Sequence, residues 1–205
     1  MDFTVILERK ELVTYEFEDY QFEASDADEW EPSLIYGEIL IDDDKIGQFT
    51  IYELYNDTNF FDHCDNFSGD LSVVANAICG KSGAILKKYL SNKHGYNFVY
   101  ILDKITIDKE YRNQGIGSAI IKNLLKMINY QFGEGSTIFL CASPYEISHQ
   151  YGFESEEYKK ETNRLIQFYT KLGFQIVKDN VMVYNKLDVW HIVSIHLIKL
   201  KPVEP

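Results

Sequence analysis

Residues Asn97 to Tyr130 read N-F-V-Y-I-L-D-K-I-T-I-D-K-E-Y-R-N-Q-G-I-G-S-A-I-I-K-N-L-L-K-M-I-N-Y. Phe98 to Ile107 is apolar and rich in β-branched and aromatic residues, which predicts a buried strand. Ser118 to Ile128 places Ile120, Ile121, Leu124, Leu125 and Ile128 at helical spacing. Between them, Arg112-Asn113-Gln114-Gly115-Ile116-Gly117 sets two glycines and a cation at a strand-to-helix turn. Glycines let backbone N–H groups approach a ligand closely, and the helix start that follows attracts anions. A pyrophosphate suits such a turn best.

Working outward, Ser136 to Ala142 predicts a second buried strand, stopped by Ser143-Pro144. Strand, helix and strand across 98–142 form a βαβ pattern, which implies parallel neighbours with the helix on one face. Residues 145–161 are polar and aromatic, partly helical, and placed to fold over a cleft. Asn163 to Leu172 is an amphipathic helix with Leu165, Phe168 and Leu172 on one face, and Gly173 at its exit. Phe174 to Val177, Val181 to Tyr184 and Ile192 to Leu200 read as closing strands.

Upstream, residues 3–23 read as strand material, and Ser25 to Pro32 as an exposed acidic connection. Leu34 to Ile41 and Lys45 to Leu54 are strand-like runs around Asp42-Asp43-Asp44. These carboxylates suit a polar hairpin turn better than a cation site, since no further ligand spacing supports a metal. Asn56 to Asn66 reads as an irregular loop; His63 and Cys64 are adjacent, and in an extended chain would point opposite ways. Ser68 can cap a helix containing Leu71, Val74, Ala75 and Ile78, ended by Gly80. Ala84 to Leu90 reads as a second short helix.

A chain of 205 residues is long enough for one well-buried domain, taken here as 1–205 with its motifs between about 97 and 184. A formal net charge of -12 disfavours general nucleic-acid binding and would attract cationic amines. Three scattered cysteines without C-x-x-C spacing fit a reducing compartment. The N-terminus lacks a signal-peptide pattern and no apolar run spans a bilayer, so a soluble, cytoplasmic protein without membrane partners is expected. Composition leaves the oligomeric state open between monomer and homodimer.

Two segments resemble one family. Arg112 to Gly117 is similar to the R/Q-x-x-G-x-G/A motif of the GNAT acetyltransferase superfamily. Leu165-Ile166-Gln167-Phe168-Tyr169-Thr170-Lys171-Leu172-Gly173-Phe174 resembles its second motif, a helix ending in F-Y-x-x-x-G-F. The two stand in the family's order with one strand between them. The resemblance implies an α/β fold, a central mixed sheet flanked by helices, and acetyl-CoA as co-substrate without a metal. It also implies two helices after the first strand, whereas the best helical segments here, 69–79 and 83–91, follow strands two and three.

Carried over residue by residue, the resemblance gives the pyrophosphate to the turn: Arg112, Asn113, Gln114, Gly115, Ile116, Gly117 and Ser118. Backbone groups of Ile105, Thr106 and Ile107 would hold the pantetheine and the thioester carbonyl along a splayed strand edge, where an N–H stabilises developing negative charge. Tyr169 stands at the family's general-acid tyrosine, suited to protonating the leaving thiolate and touching the cofactor. Many members carry an asparagine seven residues before that tyrosine; here Thr162 stands there and Asn163, the cofactor-contact candidate, is six before. Asp103, two residues before Ile105 and expected on the same strand face, is the candidate base, with an ammonium anchor or a partner for Lys104 as alternatives. The function implied is transfer of an acetyl group to a primary amine of a small molecule or peptide. The alternative is a non-catalytic acyl-CoA-binding regulatory module.

Overall fold

The computed structural model describes residues 4–10, 33–41, 44–90, 98–132 and 136–185, with no side-chain description for 4–10 and 129–132. The expected strand material at 11–23, the acidic connection at 25–32 and the strand at 192–200 lie outside these residues.

Three strands come first: β1 (Thr4–Lys10), β2 (Ser33–Ile41) and β3 (Asp44–Tyr55), paired antiparallel in that order. Ile41 at the end of β2 pairs with Asp44 at the start of β3; residues 42 and 43 lie outside the described residues. β4 (Phe98–Ile107) adds antiparallel to β3. The chain then crosses through α3 (Ile116–Phe132) to β5 (Thr137–Cys141), which lies parallel to β4. β6 (Gln175–Lys178) and β7 (Val181–Tyr184) close the sheet in the order β1-β2-β3-β4-β5-β7-β6. This is an α/β architecture with a mixed sheet, as expected.

Two apolar layers explain why the sheet is covered on both faces. One gathers Ile39, Phe49, Ile51, Tyr100 and Leu102 under α3, whose Ile120, Ile121, Leu124, Leu125 and Ile128 are all buried. The long helix α5 (Glu156–Lys171) joins this layer through Leu165, Phe168 and Tyr169. The other holds Leu54, Val99, Ile101, Phe139, Val181 and Val183 under α1 (Phe60–Phe67) and α2 (Gly69–Ile78). β5, sandwiched between both, is buried along Thr137 to Leu140, as a strand covered on each face must be.

Helix placement needs two corrections. The segment read as a loop at 56–66 contains α1, which buries Phe60 and Cys64 on one side, four residues apart, and exposes its carboxylates. Ala84 to Leu90 forms only a 3₁₀ turn at Lys87–Tyr89, because Ile85 pairs with Cys79 in an isolated bridge instead. Ser68 does cap α2, its Oγ accepting from the Leu71 N–H at 3.1 Å. Both helices follow β3, so strands two and three stand as read.

α4 (Tyr145–Tyr151) occupies the polar stretch after β5. α5 starts seven residues before Asn163, with Ser155 as its N-cap accepting from the Tyr158 N–H at 3.1 Å.

Candidate active site

β4 and β5 part company halfway along. Their parallel pairing runs from Val99–Thr137 to Leu102–Leu140, and β5 ends at Cys141. β4 continues for five more residues, Asp103 to Ile107, paired on its other side with β3 only. A gap therefore opens beside the backbone of Ile105, Thr106 and Ile107, the edge expected to face the pantetheine.

The strand is also bulged at the same place. Thr50 pairs with Lys104 and Ile51 with Leu102, so Asp103 is an extra residue. This corrects the face assigned to it. Val99 and Ile101 pack under α1 and α2, whereas Ile105 and Ile107 pack with the α3 layer. Strict alternation would have put all four on one face; the bulge shifts the phase and leaves Asp103 opposite Ile105.

On the α2 face, Asp103 is solvent-exposed, yet the protein around its carboxylate, together with the nearby Asp70, raises its pKa above 3.8, with Lys104 opposing. Burial, then Asp103 and Asp70, raise the pKa of Tyr52. Cys141 is pushed up to about 11 by burial and by Asp70, against a hydrogen bond from Asn180. Burial likewise lifts Cys64 to about 12 and Cys79 to about 11. These three thiols stay protonated at neutral pH.

Past Ile107 a 3₁₀ turn (Lys109–Tyr111) leads into the glycine turn. Asn113 and Gly115 both take positive φ, 63° and 82°. Asparagine tolerates this conformation and glycine adopts it without strain, which is what the two residue types supply here. Gly115 opens α3, its carbonyl accepting from the Ala119 N–H at 3.1 Å. The N–H groups of Ile116, Gly117 and Ser118 have no intrahelical acceptor, and none is found for them among the described residues. A Cβ at Gly115 would meet nothing within 4 Å, so the turn faces open space.

The side chains around the turn divide the work differently from the expectation. Arg112 spends Nε on the Ile107 carbonyl at 2.6 Å, and Nη1 and Nη2 on Glu146 at 3.1 and 2.7 Å. The cation that reaches the turn is instead Arg164 of α5, whose Nη2 donates to Asn113 Oδ1 at 2.8 Å. Nη1 of the same guanidinium donates to Glu161 at 3.1 Å. Gln114 turns its amide back to the Glu110 carbonyl at 2.7 Å.

Tyr169 lies on the inner face of α5 and is 7% exposed, with ring contacts to Phe168 at 5.0 Å and Phe174 at 5.5 Å. Burial raises its pKa far above 10.0, so the hydroxyl is a proton donor throughout the neutral range. Thr162, seven residues earlier, shares that face, two helical turns away. Its Oγ1 is sealed from solvent without a hydrogen-bond partner. Asn163 is exposed on the outer side. Among the described residues there is no cluster of three metal-ligating side chains and no helix long and apolar enough to cross a membrane.

Sequence reasoning missed Asp70, Glu146, Thr162 as an inward group, and Arg164. Asp70, Glu146 and Arg164 each meet their site through a contact between distant segments. Only Thr162 had a signal, its helical phase with Tyr169.

The model of the Acetyltransferase (GNAT) domain matches residues 69–176. Solved structures similar to this chain include Arabidopsis thaliana NAA60 in complex with a bisubstrate analogue, at 13% identity and a TM-score of 0.42, covering 74% of this chain and 75% of that one. Another is the Bacillus subtilis N-acetyltransferase YlbP in complex with coenzyme A, at 12% identity and 0.39, covering 75% and 69%. A third is a KacTA–DNA complex, at 13% and 0.41, covering 90% and 93%. No curated protein matches the sequence significantly.

Proposed function

Because the chain belongs to the GNAT acetyltransferase family, we propose that it transfers an acetyl group from acetyl-CoA to a primary amine of a small molecule or peptide. One observation carries this reading: the gap after Leu102 has Asp103 on one face of the sheet and Tyr169 on the other.

The residues present fit the co-substrate. The glycine turn offers unpartnered amides and open space for a pyrophosphate, with Ser118 beside them. Arg164 supplies the guanidinium, the Ile105 to Ile107 edge supplies backbone groups, and the sealed Thr162 hydroxyl supplies an unused donor. When bound, acetyl-CoA brings an activated thioester. Asp70 and Asp103 attract an ammonium on the α2 face, and Asp103 takes its proton so that nitrogen becomes nucleophilic. A backbone N–H near Ile105 stabilises charge on the carbonyl oxygen. Tyr169 donates its proton from the α5 face to the departing sulfur. With every described thiol pushed above neutral pH, a cysteine nucleophile is disfavoured and the amine attacks directly. A homodimer or monomer would serve this scheme equally.

Release of free thiol from acetyl-CoA across a panel of amines tests the proposal. Release that tracks a cationic amine supports it. Calorimetric coenzyme A binding with no release for any amine would leave the non-catalytic module as the correct reading.

Two variants refine it. Arg164→Ala is expected to weaken coenzyme A binding about five- to tenfold, the scale of one partly screened charge-assisted hydrogen bond, and to flatten its salt dependence; unchanged calorimetric affinity would remove Arg164 from the site. Asp103→Asn is expected to lower kcat about 10²-fold. Wild-type activity should fall as pH drops through the raised pKa of Asp103, and that limb should vanish in the variant. Because the folded-state pKa lies above 3.8, the charged carboxylate opposes folding at neutral pH, so Asp103→Asn should melt no lower than wild type. A pH–rate profile retaining the limb in Asp103→Asn would assign the base elsewhere.

A further inference from the structure

α4 follows β5 in the chain, yet its first two residues reach back to β4. Lys104, in the half of β4 that β5 does not pair, holds its ammonium 4.4 Å from the centre of the Tyr145 ring. Glu146 takes both Nη atoms of Arg112, while Nε of the same guanidinium holds the Ile107 carbonyl. The chain leaves β5 at Cys141, and the Ala142 N–H bonds the Asn180 carbonyl at 2.8 Å, on the β7 side. A few residues later it touches β4. Residues 143–146 therefore cross from one side of the gap to the other.

We propose that Arg112 is a positioning residue that straps α4 over the mouth of the gap between β4 and β5, and that the arm of an entering coenzyme A displaces this strap. This rests on the reading that the gap takes coenzyme A. The Ile107 carbonyl belongs both to the strap and to the strand edge that the arm would use, so the strapped state and full occupancy compete. Apparent affinity then scales with the fraction of molecules whose strap is open. The pair is well placed to act as a weak latch. It is bidentate, which fixes its direction, but its side chains are 38% and 54% exposed, which keeps it easily broken. The strap also accounts for the guanidinium, all of whose nitrogens have acceptors within the protein.

Stopped-flow and calorimetric binding of coenzyme A to the full chain test this, with hydrogen exchange across 145–152 of the ligand-free protein as a second readout. Glu146→Gln keeps the shape and removes the charge. It is expected to speed exchange in α4, to raise the association rate, and to tighten apparent affinity about two- to fivefold. KM for acetyl-CoA should fall without a fall in kcat, and added salt should bring wild type toward the variant. Unchanged exchange together with unchanged binding in Glu146→Gln overturns the strap. So does a loss of affinity beyond about tenfold in Arg112→Gln with no effect of Glu146→Gln, because Arg112 would then be a phosphate ligand. Failure of the wild type to bind coenzyme A would instead overturn the cofactor reading, and the ligand-free exchange would still decide the strap.

Discussion

Gly117→Asp is expected to weaken coenzyme A binding about 10²- to 10³-fold while leaving the protein at least as stable as wild type. The two halves of this result have one origin. Gly117 is the second residue of α3, where unpartnered N–H groups and the helix dipole favour negative charge. An aspartate there gains about 0.3–1 kcal/mol from the dipole, and losing a helical glycine adds a fraction of a kcal/mol. Space permits it, since a Cβ at Gly117 would lie 3.5 Å from Ile107 Cδ1 and 3.6 Å from Phe168 Cζ, ordinary contacts. The same carboxylate, however, stands where the pyrophosphate would sit. Two unit charges about 4 Å apart repel by roughly 4 kcal/mol near a protein surface, which is close to three decades of affinity. Thermal melting and calorimetry read both quantities on one sample. A variant that melts normally and binds coenzyme A as wild type does would remove the pyrophosphate from this turn, whatever the family.

The parts of this molecule that were legible in the sequence are those whose cause is local. The α3 stripe repeats its apolar residues every third or fourth position, and each one is buried. β4 and β5 announce themselves as continuous apolar runs because helices cover both faces. The glycine turn is legible because positive φ at Gly115 selects its residue type. α1 was not legible. It needs only Phe60 and Cys64 to face the core, and its remaining Asp62, His63, Asp65 and Asn66 look like loop. Ala84 to Leu90 misled in the opposite way: it carries apolar residues at helical spacing, but the Cys79–Ile85 bridge claims the backbone first.

The candidate site shows the same division. Tyr169 and the turn follow from short patterns. The Asp103 bulge does not, because it is defined by the register against Thr50 and Ile51 of β3, far upstream in the chain. One inserted residue reverses the face of everything after it, and no local signal marks it. Arg112 and Arg164 are indistinguishable as cations in a sequence. Their roles separate only when Glu146 and Asn113, 34 and 51 residues away, are brought beside them. The nearness of Asp70 to Asp103 has the same non-local origin, since it comes from α2 packing on the sheet.

Tyr169→Phe is expected to lower kcat by about 10²- to 10³-fold, the range of a lost general acid, with coenzyme A affinity and melting temperature nearly unchanged. The ring belongs to the α3–α5 layer and keeps its contacts with Phe168 and Phe174 in the variant. The hydroxyl has no hydrogen-bond partner among the described residues, so its removal strands no other group. Its burial raises the pKa, which has two consequences for the chemistry. The proton is in place at every pH where an amine is free to attack. A tyrosinate there is costly, so as the proposed acid the hydroxyl would serve best by holding a short hydrogen bond to the developing thiolate and recovering its proton at once. Loss of such a bond would be felt in the step that breaks the carbon–sulfur bond and hardly at all in binding, so kcat should fall and KM for acetyl-CoA should stay. It should also be partly masked for thioesters with a more acidic leaving thiol, whose departure needs less help. Full kcat in a folded Tyr169→Phe would mean that water protonates the leaving group and that Tyr169 is a core aromatic only.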